Sequence, residues 1–217
     1  MKVISVFKPA IGWLYGLFSE LDSDKMEELT IEWIKQLTRV SKTNVSTYPT
    51  PMTLVNYLLR ELERFKEYLP MIAAMRAKGL EKRHWQQMTR QLDQDNLETS
   101  NLTLAHLIEM RLFEGPKLEM IKTVSDIAMK EWAIKTTLDS LEGELRVVEF
   151  TVNKYKEPAV AYVLKGLDEL IGIFEDFVIK TVSLRQNQFA KVFSERILKI
   201  EKEFKMIVDV LEEWLKT

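Results

Sequence analysis

The chain has 217 residues, 46% hydrophobic and 29% charged, with no cysteine. That is enough apolar material for one large domain or two smaller helical ones, and it excludes a disulfide framework or a thiolate zinc site. The 31 Lys and Arg against 33 Asp and Glu leave a net charge of −2, without the basic excess of a nucleic-acid platform.

No apolar run approaches the ~20 residues of a membrane span. The opening MKVISVFKPAIGWLYGLF is broken by Lys8 and Pro9 and has no cleavage site behind it. It reads as the edge of a fold, not as a signal peptide. Glycine (7) and proline (6) are scarce, and apolar residues recur at spacings of three and four, which predicts a mainly helical chain.

The first helix is expected over 9–21. LDSD offers N-caps for a second over 25–41, with Met26, Leu29, Trp33 and Leu37 on one stripe. SKTNVSTYPT reads as a loop. Thr50 then caps a third helix with Pro51 in its first position, where a missing N–H costs nothing. Val55, Leu58, Leu62 and Phe65 repeat along it, Leu69 ends the row, and Pro70 resets the chain. A short helix follows, stopped at Gly79.

The next helix, over 80–92, carries EKRHWQQM. DQDNLETSN is a loop, and Thr103 caps a short helix, LAHLIEM. Gly115 and Pro116 open a long helix to residue 142, ~40 Å at 1.5 Å per residue, with Gly143 at its end. LRVVEFTV alternates and is rich in β-branched residues, so it is predicted as a strand. AYVLKG is its antiparallel partner, ended by Gly166. A helix over 167–184 points Leu170, Ile171, Phe174, Phe177 and Val178 inward. RQNQ is a joint. The last helix, over 189–215, aligns Val192, Phe193, Ile197, Ile200, Phe204, Ile207, Leu211 and Trp214. It stops mid-pattern without a C-cap, so the polypeptide is expected to continue. No fixed-period repeat is present. The expected fold is mainly α, an elongated bundle of about eight or nine helices with one small β-hairpin insert near 145–164. The hairpin is read as a local insert, with bracing of the helices as the alternative.

Chemical motifs are few. Phosphate-loop, dinucleotide and Gly-x-Ser-x-Gly patterns are absent. Glu81 and His84 form Glu-x-x-His on one helix face, but a di-iron bundle needs a second such motif, and the other histidine, His106, follows Thr103 at that spacing. The packing reading is therefore preferred: Trp85 and Met88 point into the core with Leu92, while Lys82 and Arg83 are solvated or paired. Glu61 with Arg60 and Arg64, and Glu201 with Lys205, read as ordinary helix-surface pairs. No catalytic, cofactor or metal residue is assigned.

Several motifs, in order, resemble the linker region of dynein heavy chains. VNYLLRELERFKEYLPMIAAMRAKGLEKRHWQQM supplies Phe65-Lys66, Leu69-Pro70 and Arg83-His84-Trp85. LTLAHLIEM supplies Leu102-Thr103-Leu104. FTVNKYKEPAVAYVLKGLDELIGIFEDF supplies Tyr155-Lys156, Leu164-Lys165-Gly166 and Asp168-Glu169, and the ending supplies Glu213-Trp214-Leu215. The resemblance spans about 45–215, and more loosely LFSELDSDKMEEL before it. Members usually carry a Ser/Pro/Tyr-type segment where this chain has LRQNQFAKVF, a departure that bears on the subfamily.

The resemblance implies a mechanical role. Residues 1–48 would be helices at the tail/linker junction and 49–217 the N-terminal half of the linker. This lever bends and straightens as the AAA+ ring of the same heavy chain binds and hydrolyses ATP. The implied partners are that ring, the tail and associated dynein chains, and indirectly microtubules and ATP. No nucleic acid, membrane or cofactor is implied for this segment, and no enzymatic activity of its own. The implied location is cytoplasm and cytoskeleton, with the VLEEWL ending leaning toward axonemal members. The alternative is a helical adaptor or tethering scaffold that binds partner proteins.

Overall fold

The computed structural model describes residues 4–43, 49–94, 97, 101–155 and 161–216. Among these residues there are nine α-helices and one two-stranded antiparallel sheet. The helices are α1 (Ile4–Tyr15), α2 (Ser23–Thr43), α3 (Pro49–Lys66), α4 (Leu69–Met75), α5 (Lys82–Leu92), α6 (Leu104–Glu109), α7 (Gly115–Val147), α8 (Leu167–Gln186) and α9 (Ser194–Leu215). The strands are β1 (Val152–Tyr155) and β2 (Ala161–Leu164). The mainly α expectation with a small hairpin holds. The chain forms two compact units, residues 1–129 and 130–217.

In the first unit, α1 starts and ends earlier than expected and carries Pro9 inside it. It stops at Tyr15 because the next residues leave the helix to pair elsewhere. Leu17 bridges Thr103, and the N–H of Phe18 donates to the Leu102 carbonyl at 2.8 Å. Phe18 is thereby buried. The Asp22 carboxylate accepts from the Lys25 N–H at 3.1 Å and opens α2. Met26, Trp33 and Leu37 are buried along its predicted stripe. Helix α3 begins at Pro49, so both Pro49 and Pro51 fall in its first turn. The cap expected at Thr50 and the loop expected over SKTNVSTYPT give way to helix, except at 44–48, which lie outside the described residues.

Val55, Leu58 and Leu62 form a small core with Trp33 and Leu37. A larger core gathers Phe18, Met26, α4, Met88, Leu92, Leu104, Leu107 and the start of α7. The Arg76 Nε donates to the Leu21 carbonyl at 2.8 Å, tying the chain after α4 to the turn before α2. Helix α4 ends at Met75, ahead of Gly79.

Helix α7 has 33 residues, about 50 Å of rise. Residues up to Met129 belong to the first unit and those from Lys130 to the second. It runs five residues beyond the expected end at 142, so Gly143 lies within it and 145–147 are helical instead of strand. The reason is a competing period. Leu138, Leu141, Leu145 and Val148 recur at three and four and all face the second core. Strand alternation would instead bury Phe150 and Val152 on one face with Val148, and those two are 49% and 52% exposed. The hairpin is accordingly shorter than predicted, with Val152 opposite Leu164 and Tyr155 opposite Ala161.

The second core joins Ile134, Leu138 and Leu141 to α8 and α9. Phe174, Phe177 and Phe204 meet at its centre, with Phe177 and Phe204 centroids 5.1 Å apart. After α8, Asn187 caps a 3-10 segment (Gln188–Phe193) by accepting from the Phe189 N–H at 3.0 Å. The last α-helix therefore starts at Ser194, not at 189. Two residues expected on its inner row, Val192 and Trp214, are exposed.

Candidate functional site

The motif residues fall into two groups, one in each unit. In the first, the carboxylate of Glu81 accepts from the backbone N–H of His84, and the Glu81 N–H donates back to His84 Nδ1 at 3.0 Å. This is a capping box with histidine in the returning position. His84 is only 3% exposed. With Nδ1 accepting, Nε2 of the neutral ring carries the proton, so neither nitrogen is left with a lone pair for a metal. No group of three or more potential metal ligands occurs among the described residues.

Trp85 packs against the larger core, as the sequence reading expected, and His84, to which that reading gave no packing role, is itself buried. Arg83 reaches back to the Glu81 carboxylate at 3.1 Å. Leu104, at the start of α6, is fully buried in the same core, and Pro70 stands exposed in the first turn of α4.

Phe65 belongs to an aromatic column that periodicity did not reveal. Trp13 lies near-parallel to Trp33 (centroids 5.2 Å, 23°) and to Phe65 (5.7 Å, 22°). Tyr68 meets Phe65 edge-on at 6.1 Å and Phe113 at 4.5 Å. Trp13, Trp33, Phe65 and Tyr68 border an open cleft of about 340 Å³. Glu61 and Arg64 stand beside it, 3.5 Å apart. The clue in the sequence was three aromatic residues distant in the chain, each on the apolar stripe of a different helix.

In the second unit, Lys165, Gly166 and Asp168 form the exit from the hairpin into α8. The Lys165 N–H donates to the Thr151 carbonyl at 2.8 Å and closes the ladder. Gly166 has φ +70° and is the N-cap of α8, a conformation that glycine adopts without strain. Asp168 and Glu169 occupy the first turn, where the helix dipole favours negative charge. Tyr155 ends β1, paired through its backbone, and Lys156 lies outside the described residues. Trp214 is 52% exposed in the last turn of α9.

Two ion pairs have more structure than surface spacing suggested. Arg196 Nη2 reaches Asp139 at 2.6 Å and Glu142 at 3.0 Å. Its hydrogen bond holds the Glu142 carboxyl below its ordinary value, against a smaller opposing effect of burial. Glu201, expected in a surface pair, is 3% exposed. It is held by Lys205 at 2.6 Å and by Arg185 at 3.1 Å, both of which keep their heads in solvent.

The motif residues alone do not fix the family, and comparison with known proteins does. A family described as dynein heavy chain, N-terminal region 2, matches residues 2–217. The chain belongs to that family. It is 32% identical over 204 residues to dynein axonemal heavy chain 1 of Mus musculus and 30% identical over 204 residues to dynein axonemal heavy chain 1 of Homo sapiens. Dynein axonemal heavy chain 3 of Homo sapiens is 26% identical over 205 residues. Each match covers 94% of this chain and 5% of the relative. The chain thus spans about 5% of the length of these dynein heavy chains.

Proposed function

We propose that the chain is a linker segment of an axonemal dynein heavy chain, a lever that couples ATP-driven changes in the AAA+ ring to movement along microtubules. Residues 1–48 would form the junction with the tail and 49–217 the N-terminal half of the linker. The observation that carries this reading is the match to a dynein heavy chain N-terminal region along nearly the whole chain. Physical support comes from the packing. A lever must keep its form under load, and close-packed apolar cores have low compressibility. Each unit has such a core. The segment itself would make no bonds and hold no cofactor. Its partners would be the ring of the same heavy chain, the tail and associated dynein chains, and through them microtubules, in the ciliary or flagellar axoneme.

The test uses the exposed Lys165 at the hairpin exit. The chain has no cysteine, so Lys165→Cys gives the segment one thiol for a fluorophore. With an acceptor on the ring of the whole heavy chain, energy transfer is expected to change between the nucleotide-free and ATP states. Identical transfer in every nucleotide state contradicts the lever. A partner-binding scaffold is the second reading, favoured by the open aromatic cleft of the first unit, and it predicts no nucleotide dependence.

A further inference from the structure

We propose that Arg196 locks the register of α9 along α7, with a cation on either side of its site acting as a stop. The apolar seam does not choose a register by itself. Leu138, Leu141 and Leu145 on α7 and Ile197, Ile200 and Phe204 on α9 face the same core. Both rows repeat at three and four, so sliding one helix by a turn sets apolar side chains against apolar side chains again. Slips of one turn, about 5.4 Å, are open to packed helices. Something other than burial must exclude them here.

The charges on α7 supply it. Lys135, Asp139, Glu142 and Arg146 follow at spacings of four, three and four and so share one face, which reads cation, anion, anion, cation. Arg196 occupies the middle. Its Nε donates to one Glu142 oxygen at 3.0 Å, while Nη2 reaches the other at 3.0 Å and Asp139 at 2.6 Å. The two helices run in the same direction. Before this site, Lys130 lies over the Phe189 ring, 4.6 Å from its centroid; after it, Arg146 lines a cleft with Lys199 and Glu203. A one-turn slip of α9 toward the C-terminal end of α7 therefore leaves Asp139 behind and carries Arg196 to Arg146. The opposite slip carries it to Lys135 and puts Lys199 on the acids, a point charge where the guanidinium fork makes three contacts. Either slip breaks the present contacts and meets a like charge, and polar groups within an apolar seam fix register in this way. The lock is a property of the second unit alone and holds whatever that unit does in the heavy chain.

The test reads register as a distance. The chain has no cysteine, so Thr137→Cys and Asp209→Cys, at exposed positions of α7 and α9, give two sites for spin labels in the whole chain. Asp209 lies more than three turns beyond Arg196, so a slip changes the label separation measured by pulsed electron spin resonance. The parent is expected to give one narrow distance. Arg146→Glu extends the acid row by a turn and is expected to add a population about 5 Å longer; Lys135→Glu extends it the other way and is expected to add one about 5 Å shorter. Each of these exposed-site variants tests the lock without the other. Arg146→Gln removes a cation without adding an acid and is expected to keep the parent distance, with helical circular dichroism unchanged throughout. The parent distance in both Glu variants overturns the lock and leaves register to apolar packing. A parent already spread over several distances overturns it, and so does equal broadening by all three substitutions, which would mean loosening without regard to charge.

Discussion

His84 shows how one side chain takes its role from neighbours three residues away. Its buried ring accepts the Glu81 N–H, a first-turn donor that has no partner within the helix. His84→Ala removes that acceptor and is expected to cost about 1–2 kcal/mol of stability, read from the denaturation midpoint at constant m-value. A change under about half a kcal/mol would show that the cap is dispensable. Glu-x-x-His was legible in the sequence as a pair on one face. That the pair closes through the backbone was not, because side-chain spacing is the same for a metal site and a cap. Glu142 makes a second residue-scale prediction. Arg196 holds its carboxyl below the ordinary value of 4.5. Its ionised form is thus favoured by folding, a contribution present above pH 4.5 and lost as pH falls through the lower folded value. Glu142→Gln is expected to flatten that part of the acid limb in acid titrations monitored by circular dichroism, modestly, since the pair is partly solvated. An acid limb identical to the parent's contradicts the pairing.

At the scale of elements, two glycines predict opposite outcomes for the same substitution. Gly143 lies inside α7 and a methyl group there meets nothing within 4 Å. Gly143→Ala is expected to stabilise by about 0.5–1 kcal/mol. Gly166 sits at φ +70°, so Gly166→Ala is expected to cost about 1–2 kcal/mol. Thermal melts of the two variants should move in opposite directions; matching directions would contradict the helix boundary at 143 or the cap at 166. The same pair marks what periodicity could convey. The stripes of α2, α3 and α8 were readable because each helix buries one apolar face. The end of α7 was not, because Leu141, Leu145 and Val148 fit a helix while LRVVEFTV also alternates. Only the core they face chooses between the periods. The stop of α1 was equally hidden, since it depends on Leu17 and Phe18 pairing with 102–103.

At the scale of the molecule, two separate cores account for most of the buried apolar side chains among the described residues. The family was readable from short ordered motifs, and the structure assigns most of them a place in the packing, as a cap, a core position or a hairpin exit. The aromatic cleft was unreadable, because Trp13, Trp33 and Phe65 meet only when three helices pack. The central claim is that the segment transmits movement through packed side chains. It is tested most directly by microtubule gliding velocity per ATP hydrolysed, in the whole heavy chain carrying Phe204→Ala. Phe204 is fully buried against Phe174 and Phe177, and its truncation should cost ~3–5 kcal/mol. The surface change Ile179→Ser serves as control. The account predicts that ATP turnover persists while distance per ATP falls at least twofold in the core variant and holds in the control; unchanged distance per ATP in a variant whose second unit has demonstrably loosened would contradict it.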